Sequence, residues 1–187
     1  MTGSLLWWAL LAILLFWAVG VYNRLMRIRA RGLDALGSVE KNLKVCGAVV
    51  LTHLAGMGVA DVFTPRAAGE HDSLPTDWRV LVDAIVELEA SAKRARATPL
   101  AVAPMTAMTY RWVLVQQAWA TLQGLPADLA GPQVPDTVQN EWDDAIAKAN
   151  IARGGYNQIA SRYNEAMGQF PARLAARFLG FQPAGTL

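Results

Sequence analysis

Residues 5–22 read LLWWALLAILLFWAVGVY, and this stretch decides the architecture. It holds no charge, no proline and one glycine. At about 1.5 Å per helical residue it spans about 27 Å, close to the roughly 30 Å hydrocarbon core of a bilayer. Trp7, Trp8, Trp17 and Tyr22 lie toward its two ends, where amphipathic rings prefer the lipid–water interface. A cleaved signal peptide wants basic residues before its apolar core. Here residues 1–4 have none, and Arg24, Arg27, Arg29 and Arg31 follow the core instead. That order fits an uncleaved transmembrane helix with a stop-transfer flank. Lys and Arg accumulate on the cytoplasmic side, so residues 1–4 are expected outside as a short extracytoplasmic N-terminus, with everything after residue 22 in the cytoplasm.

Working outward, the charge separates into two parts. The 187-residue chain has 17 basic and 15 acidic side chains, a net charge of +2. All the acids lie beyond residue 31 with thirteen of the bases, so the body is near −2 and the collar is +4. A nucleic-acid binder wants its basic face on the body, so no nucleic-acid partner is expected. A basic collar suits anionic lipid, at about 1 kcal/mol per residue near the surface. The one cysteine, Cys46, permits no intramolecular disulfide.

Beyond the span the apolar positions step by three and four. Helix one continues to about residue 61 through Leu25, Ile28, Gly32, Leu36, Val39, Leu43, Cys46, Val50, His53 and Met57, a near-heptad stripe with one stutter. Helix two fits 76–97, with Trp78, Leu81, Ile85, Leu88, Ala92 and Ala95 on its stripe. Asp72, Ser73 or Thr76 is available to cap it, and Thr98-Pro99 ends it. Helix three fits 104–123, on Met105, Met108, Trp112, Val115, Trp119 and Leu122. Helix four fits 136–170, on Trp142, Ala145, Ala149, Ala152, Tyr156, Ile159, Tyr163, Ala166 and Phe170, with Asp136 and Gln139 as a capping box. No strand-like alternation occurs.

The reading is all-α: an N-terminal transmembrane helix continuing into an elongated antiparallel four-helix bundle with coiled-coil-like seams. Helices one and four are the longest, so the near end is a two-helix membrane-proximal stalk pairing about residues 23–36 with 156–170. The bundle occupies 23–171. Residues 172–187 form an amphipathic tail at the membrane surface, where Arg173 and Arg177 oppose Leu174, Phe178, Leu179 and Phe181.

Two segments carry a resemblance. Residues 22–31 follow the apolar span with Tyr22-Asn23, Leu25 and RLMRIRAR. Residues 152–181 hold Ala152-Arg153, Tyr156-Asn157, Tyr163-Asn164, Phe170-Pro171 and Gly180-Phe181 in that order. Five spaced dipeptides in one order resemble the LemA family of bacterial membrane proteins. The match covers about a third of the chain. It departs from the family at Ala35-Leu36 and Val45-Cys46-Gly47, and the middle matches only as generic helix. The resemblance implies a helical bundle behind one transmembrane helix of the bacterial inner membrane, and implies no activity.

The Tyr-Asn pairs have two readings. In one, tyrosines fill the seam and asparagines satisfy hydrogen bonds or set register. In the other, Tyr22, Asn23, Tyr156, Asn157, Tyr163 and Asn164 form a membrane-proximal docking surface for a protein partner or a second copy. His53 reads as a core histidine and Cys46 as a small core residue. Glu70-His71-Asp72 reads as a solvated loop, and Gly154-Gly155 as a close approach or a bend. No Gly-rich phosphate loop or HExxH pattern occurs, so neither a cofactor nor an enzyme is expected. The expectation is a structural or protein-interaction module whose partners are the lipid bilayer and an unidentified protein or itself. The alternative is a small-ligand sensor signalling through helix one.

Overall fold

Each periodic stretch folds as a helix, and a short fifth follows. A computed structural model describes residues 2–58, 75–126, 133–170 and 172–187. They form α1 (Thr2–Gly56), α2 (Thr76–Ala97), α3 (Val102–Gln123), α4 (Asp136–Gly168) and α5 (Ala172–Phe178), with no strand among the described residues. The Asp72 and Ser73 caps and the Glu70-His71-Asp72 loop lie outside the described residues.

α1 has 55 residues, so it is about 82 Å long. Its early apolar part packs against nothing: Leu6 to Phe16 are exposed throughout. α1 is the one described helix long and apolar enough to cross a membrane. From Leu25 onward it becomes a core helix, burying Leu36, Val39, Leu43, Cys46 and Val50. The expected stripe then fails by one residue. Leu54 is buried where His53 was expected, and Met57 is exposed. A 3.5-residue stripe drifts by about 20° per heptad around a helix of 3.6 residues per turn, and another step of four restores it. The helix stops at Gly56, short of residue 61, in a turn where Gly58 takes φ +82.

α1 runs along α4, and α2 along α3. α2 descends α1 antiparallel. His53 stands 5.1 Å from the Trp78 ring, Gly47 faces Ile85, Arg96 bonds Glu40 at 3.0 Å, and Leu100 packs on Gly32. α3 and α4 differ from the other neighbours, because no Cα pair between them comes within 8 Å. Large groups stand in the gap. Trp119 stacks on Trp142 at 4.2 Å, and the Arg153 guanidinium lies 5.5 Å from the Trp112 ring centre.

Several ends differ from expectation. Pro135, not Asp136, is the N-cap of α4; Gln139 donates its N–H to the Pro135 carbonyl, and no side chain caps the helix. α2 likewise starts from Pro75. α3 starts two residues before Pro104, which the first turn tolerates. α4 ends at Gly168, so Phe170 leaves the seam and is 81% exposed. The following Pro171 disfavours helical backbone at Phe170. Gly154 and Gly155 mark no close approach: α4 passes through them without a break, and nothing lies where a Cβ would be. The stalk is shorter than expected. The α2–α3 connection packs on Gly32, and Ala97 to Ala101 border the same cleft as Arg29, so the stretch of α1 with neither α2 nor α3 beside it is shorter than 23–36.

Candidate functional site

The Tyr-Asn pairs converge on the chain's own C-terminal segment. α5 ends in a Schellman motif. Phe181 donates its N–H to the Ala176 carbonyl at 3.0 Å, Gly180 donates to Arg177, and Gly180 takes φ +71. This left-handed turn sends the chain back along α4. Phe181 thereby meets Tyr22 with ring centres 6.0 Å apart. Residues 172–178 form α5 at the end of α4, and 181–187 folds into the bundle instead of continuing the amphipathic tail.

Two asparagines hold the returning chain as a strand neighbour would. The Asn164 amide donates to the Ala184 carbonyl at 3.0 Å and accepts the Ala184 N–H at 2.7 Å. The Asn157 amide donates to the Leu187 oxygen and accepts the Leu187 N–H, both at 2.8 Å. The spacings agree. Seven helical residues rise about 10.5 Å, and three extended residues reach about 10 Å. Between the clamps, the buried Tyr156 hydroxyl donates to the Gly185 carbonyl at 3.1 Å.

The opposite wall is the α2–α3 connection. Gly185 donates its N–H to the Leu100 carbonyl at 2.8 Å. Leu100 holds φ +69, which costs an L-residue roughly 1–2 kcal/mol. Its buried side chain against Gly32 and its bonded carbonyl offset that cost. Gly185 has no room for a side chain: a Cβ would stand 2.8 Å from the Val102 Cα. Leu187 reaches the core beside Leu43, Leu88 and Met108. The tail therefore fills the lower part of the α3–α4 gap, as the tryptophans fill the upper part.

Of the six expected surface residues, Tyr22 and Asn23 are exposed. Tyr156 and Tyr163 are buried, and Asn157 and Asn164 are half-buried with their amides engaged by the tail. Burial pushes the Tyr156 hydroxyl up to about 12. It also raises Tyr163, against the opposing field of Arg29. Of the flanking arginines, Arg24, Arg27, Arg31, Arg173 and Arg177 are exposed and Arg29 is half-buried. Sequence reasoning missed Leu100, Ala184, Gly185 and Leu187. A glycine among small and apolar residues at 183–187 was the only signal, and a weak one.

A cleft of about 360 Å³ opens below this latch, between the α2–α3 connection and residues 179–183. Arg29 and Tyr163 line it from α1 and α4. Elsewhere the chemistry is quiet. Cys46 is buried, its thiol raised to about 11 by desolvation. Burial lowers His53, which has Trp78 for a neighbour. No group of three His, Cys, Asp or Glu among the described residues is placed to hold a metal.

The chain matches no family model, no curated protein and no solved structure.

Proposed function

We propose that this chain is a LemA-like structural or protein-interaction module, anchored in the bacterial inner membrane by the start of α1. Its N-terminus lies outside and its bundle in the cytoplasm. The observation that supports this best is a continuous apolar surface at one end of the molecule. The exposed apolar part of α1 leads to Tyr22, and Phe170, Leu174, Phe178 and Leu179 are exposed nearby. Tyr22 and α5 share a level because Phe181 contacts the Tyr22 ring and α5 packs on α1. Burying such a side chain yields about 1.5–3 kcal/mol. An amphipathic α5 with Arg173 and Arg177 on its other side suits the headgroup layer. The interaction role falls to Tyr22, Asn23 and the exposed faces of the bundle, since the other Tyr-Asn groups already hold the tail.

The test is the topology of the C-terminus. A reporter active only in the cytoplasm, fused after Leu187, is expected to work, and one active only outside is expected to be silent. The reverse pattern sinks the orientation. Recovery of the chain in the soluble fraction sinks the anchor.

A further inference from the structure

We propose that the cleft beneath the latch binds a phosphate group, through the Arg29 guanidinium and the Tyr163 hydroxyl. The two side chains come from different helices, α1 and α4, and both line the cleft. No carboxylate lines the cleft. Arg96 pairs with Glu40 and Arg111 with Glu87, but Arg29 has no ion-pair partner among the described residues. It is half-buried, and no carboxylate stands opposite it in the cleft. Tyr163 is 2% exposed, yet its hydroxyl makes no hydrogen bond among the described residues, unlike Tyr156 one heptad away. The hydroxyl is not sealed in the core, because Tyr163 lines the cleft, so it is free to donate to a ligand there. Both groups border one cleft of about 360 Å³, and the positive charge of Arg29 acts on the Tyr163 hydroxyl. A phosphate satisfies both. The guanidinium fork matches two phosphate oxygens, and the hydroxyl donates to a third.

The height of the cleft favours a lipid as the source. Arg29 lies seven residues beyond Tyr22, about 10 Å along the axis. The headgroup layer extends roughly 5–7 Å beyond the hydrocarbon, which leaves about 3–5 Å for the flexible Arg29 side chain to cover. A free phosphorylated solute offers the same chemistry from the other side. Only the lipid source rests on the membrane-anchored reading above.

The experiment uses the full chain in detergent and native mass spectrometry, after incubation with phosphatidylglycerol or phosphatidylcholine. Inorganic phosphate is titrated in a parallel series. Wild type is expected to retain phosphatidylglycerol preferentially. Arg29→Gln is expected to lower retention about tenfold and Tyr163→Phe several-fold. Arg31→Gln, at an exposed collar position, is expected to change it little. Neither test residue makes a hydrogen bond or ion pair among the described residues, and Tyr163→Phe keeps the buried ring, so the variants are expected to fold, which wild-type melting temperatures verify. Binding of inorganic phosphate alone, lost in Arg29→Gln, supports the site with a soluble source. Equal retention by wild type and Arg29→Gln overturns the proposal, as does an equal loss in Arg31→Gln, which marks a diffuse collar effect. Sedimentation with membranes is read for every variant, so a failed anchor is distinguished from a failed phosphate site.

Discussion

Asn164 shows how much one side chain decides here. A carboxamide is the one neutral side-chain group that donates and accepts in the geometry of a peptide unit. Asn164 uses both functions on Ala184, and Asn157 repeats the arrangement on Leu187. Asn164→Asp keeps the acceptor, loses the donor, and sets a carboxylate against the Ala184 carbonyl. It is expected to destabilise by about 2 kcal/mol, since a half-buried acceptor loses its partner. The loss should appear as a lower melting temperature together with faster proteolysis of residues 181–187. Ser161→Ala, on the exposed side of α4, serves as the control. If Asn164→Asp melts with the control and its tail stays protected, the clamp contributes nothing. The Tyr-Asn spacing was legible in the sequence, because seven residues return to the same face of a helix. Its target was not, because Ala184 and Leu187 carry no group that advertises a partner.

At the scale of elements, α2 is fastened to α1 by a polar clamp at one level. Glu40 accepts from Lys44 on its own helix and from Arg96 on α2, both at 3.0 Å. The Lys44 hydrogen bond, with Arg96 adding to it, holds the Glu40 carboxyl below the usual carboxylate range despite partial desolvation. The folded state thus prefers the charged form. The stability this contributes is present above the ordinary carboxylate range and is lost as the pH falls through the lowered value. Glu40→Gln is expected to remove that part of the acid dependence, lowering stability by a few tenths of a kcal/mol at neutral pH, since Arg96 is largely exposed. Thermal melts of both proteins between pH 3 and 7 check it. Wild type and Glu40→Gln losing stability in parallel below pH 4.5 removes the clamp from the account. The element ranges were readable to within a few residues, because 3-4 spacing is a local property. The N-caps were not, because Pro135 and Pro75 precede the acids and take the cap position.

For the molecule as a whole, the arrangement has one apolar end and one polar length. The apolar end is where α1 leaves its exposed segment and where α5 sits. A spin label at Phe178→Cys, in a Cys46→Ala background reconstituted into phosphatidylglycerol-containing vesicles, is expected to be more accessible to oxygen than to a water-soluble relaxant. A label at Val86→Cys, exposed on α2 far up the bundle, is expected to show the opposite. Equal water accessibility at both positions takes α5 off the membrane.

The sequence by itself determined the helices, the apolar segment that opens α1, and which face of each helix is buried, because hydropathy and its period are written locally along the chain. The tertiary structure alone decided where the tail goes. The turn at Gly180, the left-handed Leu100 and the bare backbone of Gly185 act together only once four distant segments are adjacent. The α3–α4 gap that the tail fills exists because bulky indoles hold those helices apart, and no periodicity along the chain encodes a gap between two helices.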